Sequence, residues 1–218
     1  MENPVILAHS IQERTGTSMN ITVYLGASNG VDKMYSMEAK GLGEWIGKSG
    51  HRLIYGGSRT GLMGVLADAV LSTGGEVIGV EPAFFIESEL QHDSITRLIV
   101  TESMAERRAK MIELGDAFIA FPGGTGTLEE ISEVISLVKL GHIDHPVVFL
   151  NLEHYYDPME VMYHKMVEEG FLESVHLEKI HFSTSVEGTA SYLEGTWNRL
   201  KSGKKSAAQI VGTVSFPK

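Results

Sequence analysis

The sequence predicts a doubly wound α/β domain: one parallel sheet with helices on both faces. Three observations carry that prediction. Short apolar runs alternate with longer amphipathic stretches along most of the chain. The apolar runs are continuous rather than alternating with polar residues, as in strands covered on both faces. Three of them end in glycine turns, Gly26-Ala27-Ser28-Asn29-Gly30, Gly56-Gly57 and Pro122-Gly123-Gly124. These turns fall at strand carboxyl ends, the edge where open α/β sheets bind ligands, so together they make one cleft.

The elements follow in order. An apolar run over residues 21–25 is the first strand, and a helix is expected near 33–48. Residues 52–55 form a short strand before the second glycine turn. Residues 61–71 are helical, with Leu62, Leu66, Ala69 and Val70 on one face. Strands are expected at 76–80 and 98–101, a helix at 103–114, a strand at 117–121 and a helix at 127–140. A strand at 146–150, a helix at 158–169 and a last helix near 186–201 complete the domain. Residues 1–19 read as a leader or tag-like segment, 20–201 as the single folded domain, and 202–218, rich in Ser, Gly and Lys, as a flexible tail. There is no internal repeat.

Composition narrows the function. The 218 residues suffice for one α/β domain with a sizeable core. The absence of cysteine excludes disulfides, thiol catalysis and zinc–thiolate sites, and fits a reducing cytoplasm. A net charge of −10 argues against binding a nucleic-acid backbone. No apolar run reaches transmembrane length, and the first residues lack a basic-then-apolar signal pattern, so no membrane partner is expected.

The segment with most chemistry is Pro122-Gly123-Gly124-Thr125-Gly126-Thr127-Leu128-Glu129-Glu130. A strand, a glycine turn and a helix start place open backbone N–H groups at one point, a ready anion site. Two carboxylates there are surplus to holding an anion. Two readings of Glu130 compete. Thr127 and Glu130 have capping-box spacing, with Thr127 as N-cap and Glu130 turned back onto the backbone. A Glu130 free of the cap could instead do acid/base or charge-stabilising work. Glu129 complements the helix dipole.

Ser103-Met104-Ala105-Glu106 is a second capping box, opening a helix on which Met104, Arg107, Met111 and Leu114 share one face. An arginine on an inward, mostly apolar face needs an anionic partner, a structural one or a ligand in the cleft. Ser28 could touch a phosphate or only stabilise its turn. The glycine turns match neither a P-loop nor a clean G-x-G-x-x-G, so an NTPase or dehydrogenase is disfavoured. The nine histidines form no metal pattern; His142, Asp144 and His145 read as solvated loop residues. Tyr155, Tyr156 and Met159 to Met166 read as core or as an oligomer face. Nothing indicates a Ser-His-Asp triad or a pyridoxal lysine.

These motifs resemble the LOG (Lonely Guy) family. The 122–130 segment resembles its P-G-G-x-G-T-x-x-E motif. Met104-Ala105-Glu106-Arg107-Arg108-Ala109-Lys110-Met111 resembles its M-x-x-R-K-x-x-M segment, with Arg108 in place of the usual lysine. Tyr55-Gly56-Gly57 through Gly61-Leu62-Met63-Gly64 resembles its Y-G-G-G-x-x-G-L-M-G turn, with Ser58 for the third glycine. Residues 141–151 and Gly170-Phe171 also fit, and the resemblance spans roughly residues 20–200. Its members are often labelled lysine decarboxylases, a label for which this sequence offers no pyridoxal chemistry.

The resemblance implies a Rossmann-like fold, a homodimer or larger homo-oligomer, and a cytokinin riboside 5'-monophosphate phosphoribohydrolase. Such an enzyme cleaves the N-glycosidic bond of an N6-substituted AMP, giving free base and ribose 5-phosphate. The substrate partner is then a nucleoside 5'-monophosphate, and no metal or redox cofactor is expected. Carried over by motif, Arg107 and Glu130 are the catalytic pair. Glu89, Arg108, Gly123, Gly124, Thr125, Gly126, Thr127 and Glu129 would contact substrate, with Ser28 and Gly57 from the other turns. Ser136 stands where the family has a threonine bordering the pocket. Arg108 keeps the lysine's charge with a different geometry. Two alternatives remain at this stage: a broader AMP or nucleoside monophosphate nucleosidase, and a non-catalytic nucleotide-binding or carrier protein.

Overall fold

The apolar runs become strands by pairing in one sheet, whose central strands are buried from both sides and whose edge strand at residues 97–101 is largely open. β1 (Asn20–Tyr24), β2 (Arg52–Tyr55), β3 (Glu76–Pro82), β4 (Arg97–Thr101), β5 (Ala117–Ala120), β6 (Val147–Leu150) and β7 (Ile180–Ser183) form one sheet. Their order is β4-β3-β2-β1-β5-β6-β7, and every strand pairing is parallel. The computed structural model describes residues 18–86 and 90–211, with side chains to 202. All residues of β1, β5 and β6 are buried.

The helices are α1 (Lys33–Lys48), α2 (Gly61–Ser72), α3 (Ala83–Ile86), α4 (Met104–Leu114), α5 (Thr125–Lys139), α6 (Asp157–Glu168), α7 (Ser174–Leu177) and α8 (Val186–Val211). They cover the sheet in two layers. On one face Ile21, Val23 and Tyr55 pack with Leu42 and Ile46 of α1, Leu66 and Val70 of α2, and Leu193 of α8. On the other, Tyr24, Ile54 and Phe118 pack with Met111 of α4, Ile131 and Val134 of α5, and Tyr163 of α6. Burial of one such side chain is worth about 1.5–3 kcal/mol before chain entropy is counted. Two such layers hold the sheet rigid, so its edge turns can be positioned closely.

Several boundaries differ from expectation. Met19 belongs to the core: it is 1% exposed, its N–H donates to His51 Nδ1 (3.2 Å), and its carbonyl accepts from the Arg52 N–H (2.9 Å). β3 runs on to Pro82, since β4 continues to pair with it through Glu81 and Pro82. β7 was not read from the sequence; its Ile-His-Phe-Ser run is too short and mixed to signal a strand, and pairing with β6 makes it one. The short α3 and α7 were also not expected. α8 continues past the expected end at 201 to Val211. The expected leader lies outside the described residues up to 17, and the expected tail beyond 211.

The strand order reverses between β1 and β5, which are paired side by side while their following crossovers leave in opposite directions. The turns after these two strands therefore stand together at a topological switch point, where doubly wound sheets open a crevice.

Candidate active site

α5 starts two residues earlier than expected, and this decides the state of Glu130. Its N-cap is Gly124, extended (φ −91, ψ −158) and without any capping side chain. Thr127 is thus inside the helix and buried, and Glu130 lies beyond the first turn. Of the two readings of Glu130, the Thr127–Glu130 capping box does not form. Surrounding contacts fix the earlier start: Tyr155 Oη donates to the Gly123 carbonyl (2.6 Å), Tyr156 Oη to the Phe121 carbonyl (2.8 Å), and the Gly26 N–H to the Pro122 carbonyl (3.4 Å). Tyr155 and Tyr156, expected in the core or an oligomer face, therefore brace the glycine turn. The first intrahelical donor is Leu128, bonded to Gly124 (3.3 Å). The N–H groups ahead of it, Gly124 to Thr127, are the ones a helix start leaves for an anion.

α4 begins as its sequence predicts. Ser103 Oγ accepts from the Glu106 N–H (3.2 Å), and Glu106 Oε2 reaches back to the Glu102 N–H (2.9 Å). Its inward face carries Arg107 and Met111, both buried, with Met104 and Leu114 partly buried. Arg107 has the anionic partner that face demands. Its Nη1 donates to Glu130 Oε1 at 2.5 Å, and its Nε donates to the Val80 carbonyl at 2.9 Å. The two side chains are only 7% and 11% exposed. Gly56 makes room for this reach: a Cβ there would sit 2.5 Å from Arg107 Nη2.

Burial pushes the Glu130 carboxyl above the usual carboxylate range, and the Arg107 charge and hydrogen bond pull against that. The Tyr24 phenol, at the end of β1, is pushed far up by burial first and by the Glu130 charge second. A buried arginine–carboxylate pair is poor value as a stabilising device, since desolvation consumes most of the attraction. A carboxyl perturbed by burial and a specific charge partner in a cleft is a candidate functional group.

The pair opens into a cavity of about 370 Å³ at the switch point. Gly124 to Thr127 line it together with Arg107 and Glu130. Met63, Phe85, Leu90 and Met104 give an apolar wall, and Glu81 stands beside them. Ser58 and Thr60 also line it, their hydroxyls 2.9 Å apart. Among the described residues, no group of three or more His, Asp or Glu could hold a metal ion.

The structure gathers some expected site residues and separates others. Arg107, Glu130, Gly124, Thr125, Gly126 and Thr127 share the cavity. Gly123 lies just behind it in the braced turn, and Gly57 beneath it, between the lining residues Gly56 and Ser58. Arg108 points along α5 instead, paired with Glu129 (3.0 Å) and Glu133 (2.8 Å). Ser28 is exposed at the turn after β1. Ser136 is exposed on α5, its Oγ donating to the Ser132 carbonyl (2.8 Å). None of Arg108, Glu129, Ser28 and Ser136 lines the cavity of this single chain. Glu89 lies outside the described residues. His142 and Asp144 are exposed, as loop residues should be, but His145, expected to be solvated with them, is half-buried with its ring 6.3 Å from that of Phe118. Glu81, Ser58 and Thr60 were missed. The available signal for Glu81 was an acid continuing an apolar strand at its carboxyl end.

The chain is similar to several known proteins. The family described as "Possible lysine decarboxylase" matches residues 63–193. A cytokinin riboside 5'-monophosphate phosphoribohydrolase of Rhodococcoides fascians is 42% identical over 173 residues, covering 79% of this chain and 87% of that protein. One of Arabidopsis thaliana is 38% identical over 153 residues, covering 70% of this chain and 67% of that protein. Among solved structures, the Moco carrier protein of Chlamydomonas reinhardtii superposes with a TM-score of 0.63 at 21% identity, covering 82% of this chain and 97% of that one. Identity that low speaks for the Rossmann-like fold alone. The sequence motifs, the parallel sheet and the relatives together place this chain in the LOG family of cytokinin riboside 5'-monophosphate phosphoribohydrolases.

Proposed function

We propose that the protein hydrolyses the N-glycosidic bond of N6-substituted adenosine 5'-monophosphates, releasing the free base and ribose 5-phosphate. This is the activity named for its relatives in Rhodococcoides fascians and Arabidopsis thaliana. One observation carries the reading beyond their names: the order of groups along the sheet edge. The open N–H groups of α5 follow β5; Glu130 acts on Tyr24 at the end of β1; Arg107 crosses Gly56 after β2, beside Met63, and bonds Val80 of β3; the apolar Phe85 and Leu90 follow β3, and Met104 follows β4. Read along the edge, that is an anion holder, a carboxyl–guanidinium pair and an apolar slot. A nucleoside 5'-monophosphate presents phosphate, sugar and base in the same order.

The chemistry follows from that alignment. The phosphate sits on the Gly124 to Thr127 N–H groups and the α5 dipole. As the bond from C1′ to the base breaks, the ribose gains oxocarbenium character. The Glu130 carboxylate stabilises that charge and takes a proton from the attacking water. Its raised affinity for a proton suits a base working near neutral pH. Arg107 keeps Glu130 in place and offsets negative charge building on the base.

The protein acts as a homodimer in this reading. Leu140, Val161, Met162, Phe171 and Val175 are exposed (66%, 67%, 50%, 78% and 50%), an apolar surface suited to self-association. No helix among the described residues is long and apolar enough to cross a membrane. The cysteine-free sequence supports work in the cytoplasm.

Chromatography of products after incubation with N6-isopentenyladenosine monophosphate, and separately with AMP, tests the proposal. Base and ribose 5-phosphate from the first substrate and not the second are expected. Equal release from both makes it a broader nucleosidase, and tight binding without release makes it a carrier.

A further inference from the structure

Glu81 is a third acidic group at this site. It lies at the carboxyl edge because β3 runs on to Pro82, and its side chain lines the cavity. It is 2% exposed, yet its Oε2 has no hydrogen-bond partner among the described residues. A fully buried, unpaired carboxyl oxygen is a standing cost that a fold keeps for a reason. The turn after β2 is shaped around it. Gly57 has φ +89, and a Cβ there would press on Glu81 Cβ at 3.1 Å and Oε2 at 3.3 Å. Tyr55, buried on β2, has a phenol that feels the Glu81 charge and is itself unpartnered. Arg107 donates from Nε to the carbonyl of Val80, the residue before Glu81, and from Nη1 to Glu130, and its charge is felt by Glu81. One guanidinium thus serves both carboxyls, and all three line the same cavity.

We propose that Glu81 is the acid that protonates the departing base. The inference rests on the hydrolase reading above, since it assigns a role within that reaction. The bond from C1′ to the ring nitrogen breaks, and its electron pair leaves with the base. Glu81 gives its proton to a ring nitrogen of the base, which departs neutral. Water adds its oxygen to C1′ and loses a proton to Glu130. Glu81 ends ionised and Glu130 protonated, and exchange with solvent resets both. Burial favours this starting state, since it raises the proton affinity of Glu81 against the opposing Arg107 charge. Two carboxyls across one bond, one giving and one taking a proton, is the arrangement glycoside hydrolysis requires.

A leaving group that needs no proton separates this role from a structural one. The wild type and Glu81→Gln are compared on N6-isopentenyladenosine monophosphate and on 4-nitrophenyl ribofuranoside 5-phosphate. Glu81→Gln is expected to lose about 100-fold or more in kcat/KM on the nucleotide, within the range for general acids, and to stay within about threefold on the nitrophenyl compound. Retained nitrophenol release also shows that the variant is folded. Equal loss on both substrates, or no loss on the nucleotide, overturns the proposal.

A second measurement needs no variant. In the wild type, the ratio of kcat/KM for the nucleotide to that for the nitrophenyl compound should fall as pH rises. The Tyr55 phenol, pushed far up by burial, stays neutral over that range, and Glu130 serves both substrates, so the ratio follows Glu81. A flat ratio overturns the proposal. A wild type that releases neither product refutes the hydrolase reading itself, and this inference falls with it.

Discussion

The first turns of α4 and α5 lie at the same end of the sheet and are finished in opposite ways. α4 closes its own N-terminus: Ser103 and Glu106 satisfy its backbone donors at an exposed surface. α5 begins on Gly124, which has no side chain to offer, and leaves its donors facing a cavity. The acid that could have capped α5 is instead spent on Arg107, which α4 supplies. One helix start is built for stability and the other gives stability up for a site. The two neighbouring arginines of α4 repeat the contrast. Arg107 is buried in the cleft, whereas Arg108 bridges to Glu129 and Glu133 on the flank of α5.

Substitutions can break that comparison. Arg107→Ala should damage activity and fold together, lowering kcat/KM about 100- to 1,000-fold and stability by about 3 kcal/mol, because Glu130 is left buried and unpaired. The double variant Arg107→Met with Glu130→Leu should regain at least wild-type stability in denaturant unfolding while staying inactive. A double variant no more stable than Arg107→Ala would mean the pair is structural after all. Gly56→Ala comes next: its Cβ falls 2.5 Å from Arg107 Nη2 and 3.0 Å from Met63 Sδ. Steady-state kinetics should show kcat reduced about tenfold or more through misplacement of the guanidinium, with unfolding little changed.

The closed helix start should behave in the reverse sense. Ser103→Ala should lower stability by about 1 kcal/mol and leave turnover unchanged. The smallest effect belongs to Arg108→Ala. Its partly exposed ion pairs should be worth less than about 1 kcal/mol. Any effect on the reaction should appear as a rise in KM below about tenfold with kcat retained. A large fall in kcat would place Arg108 in the chemistry, against its position beside Glu129.

Much of this was legible in the sequence. Continuous apolar runs and glycine turns announced the parallel sheet and its reactive edge, because burial on both faces leaves an unmistakable pattern. The inward Arg107 could be read from its helix face, and its need for an anionic partner followed from the energetics of buried charge. Local pattern failed at Glu130. Thr127-x-x-Glu130 and Ser103-x-x-Glu106 have the same spacing, and only the second forms the box. The difference is tertiary: Tyr155 and Tyr156, some thirty residues along the chain, brace the turn and shift where α5 begins. Glu81 escaped for a related reason. Its significance lies in an unpaired oxygen over Gly57, a relation between two strands that no local window contains. The motif resemblance also named Arg108 and Ser136, which this single chain holds away from the cavity.

The central claim is that Glu130 is released from capping in order to act on the substrate. Its most direct test is ribose 5-phosphate release from N6-isopentenyladenosine monophosphate by the wild type and by Glu130→Gln, each shown to be folded by cooperative thermal unfolding. Steady release by the wild type and a loss of about 1,000-fold in kcat for the variant are expected. A folded Glu130→Gln that keeps near wild-type turnover would contradict it.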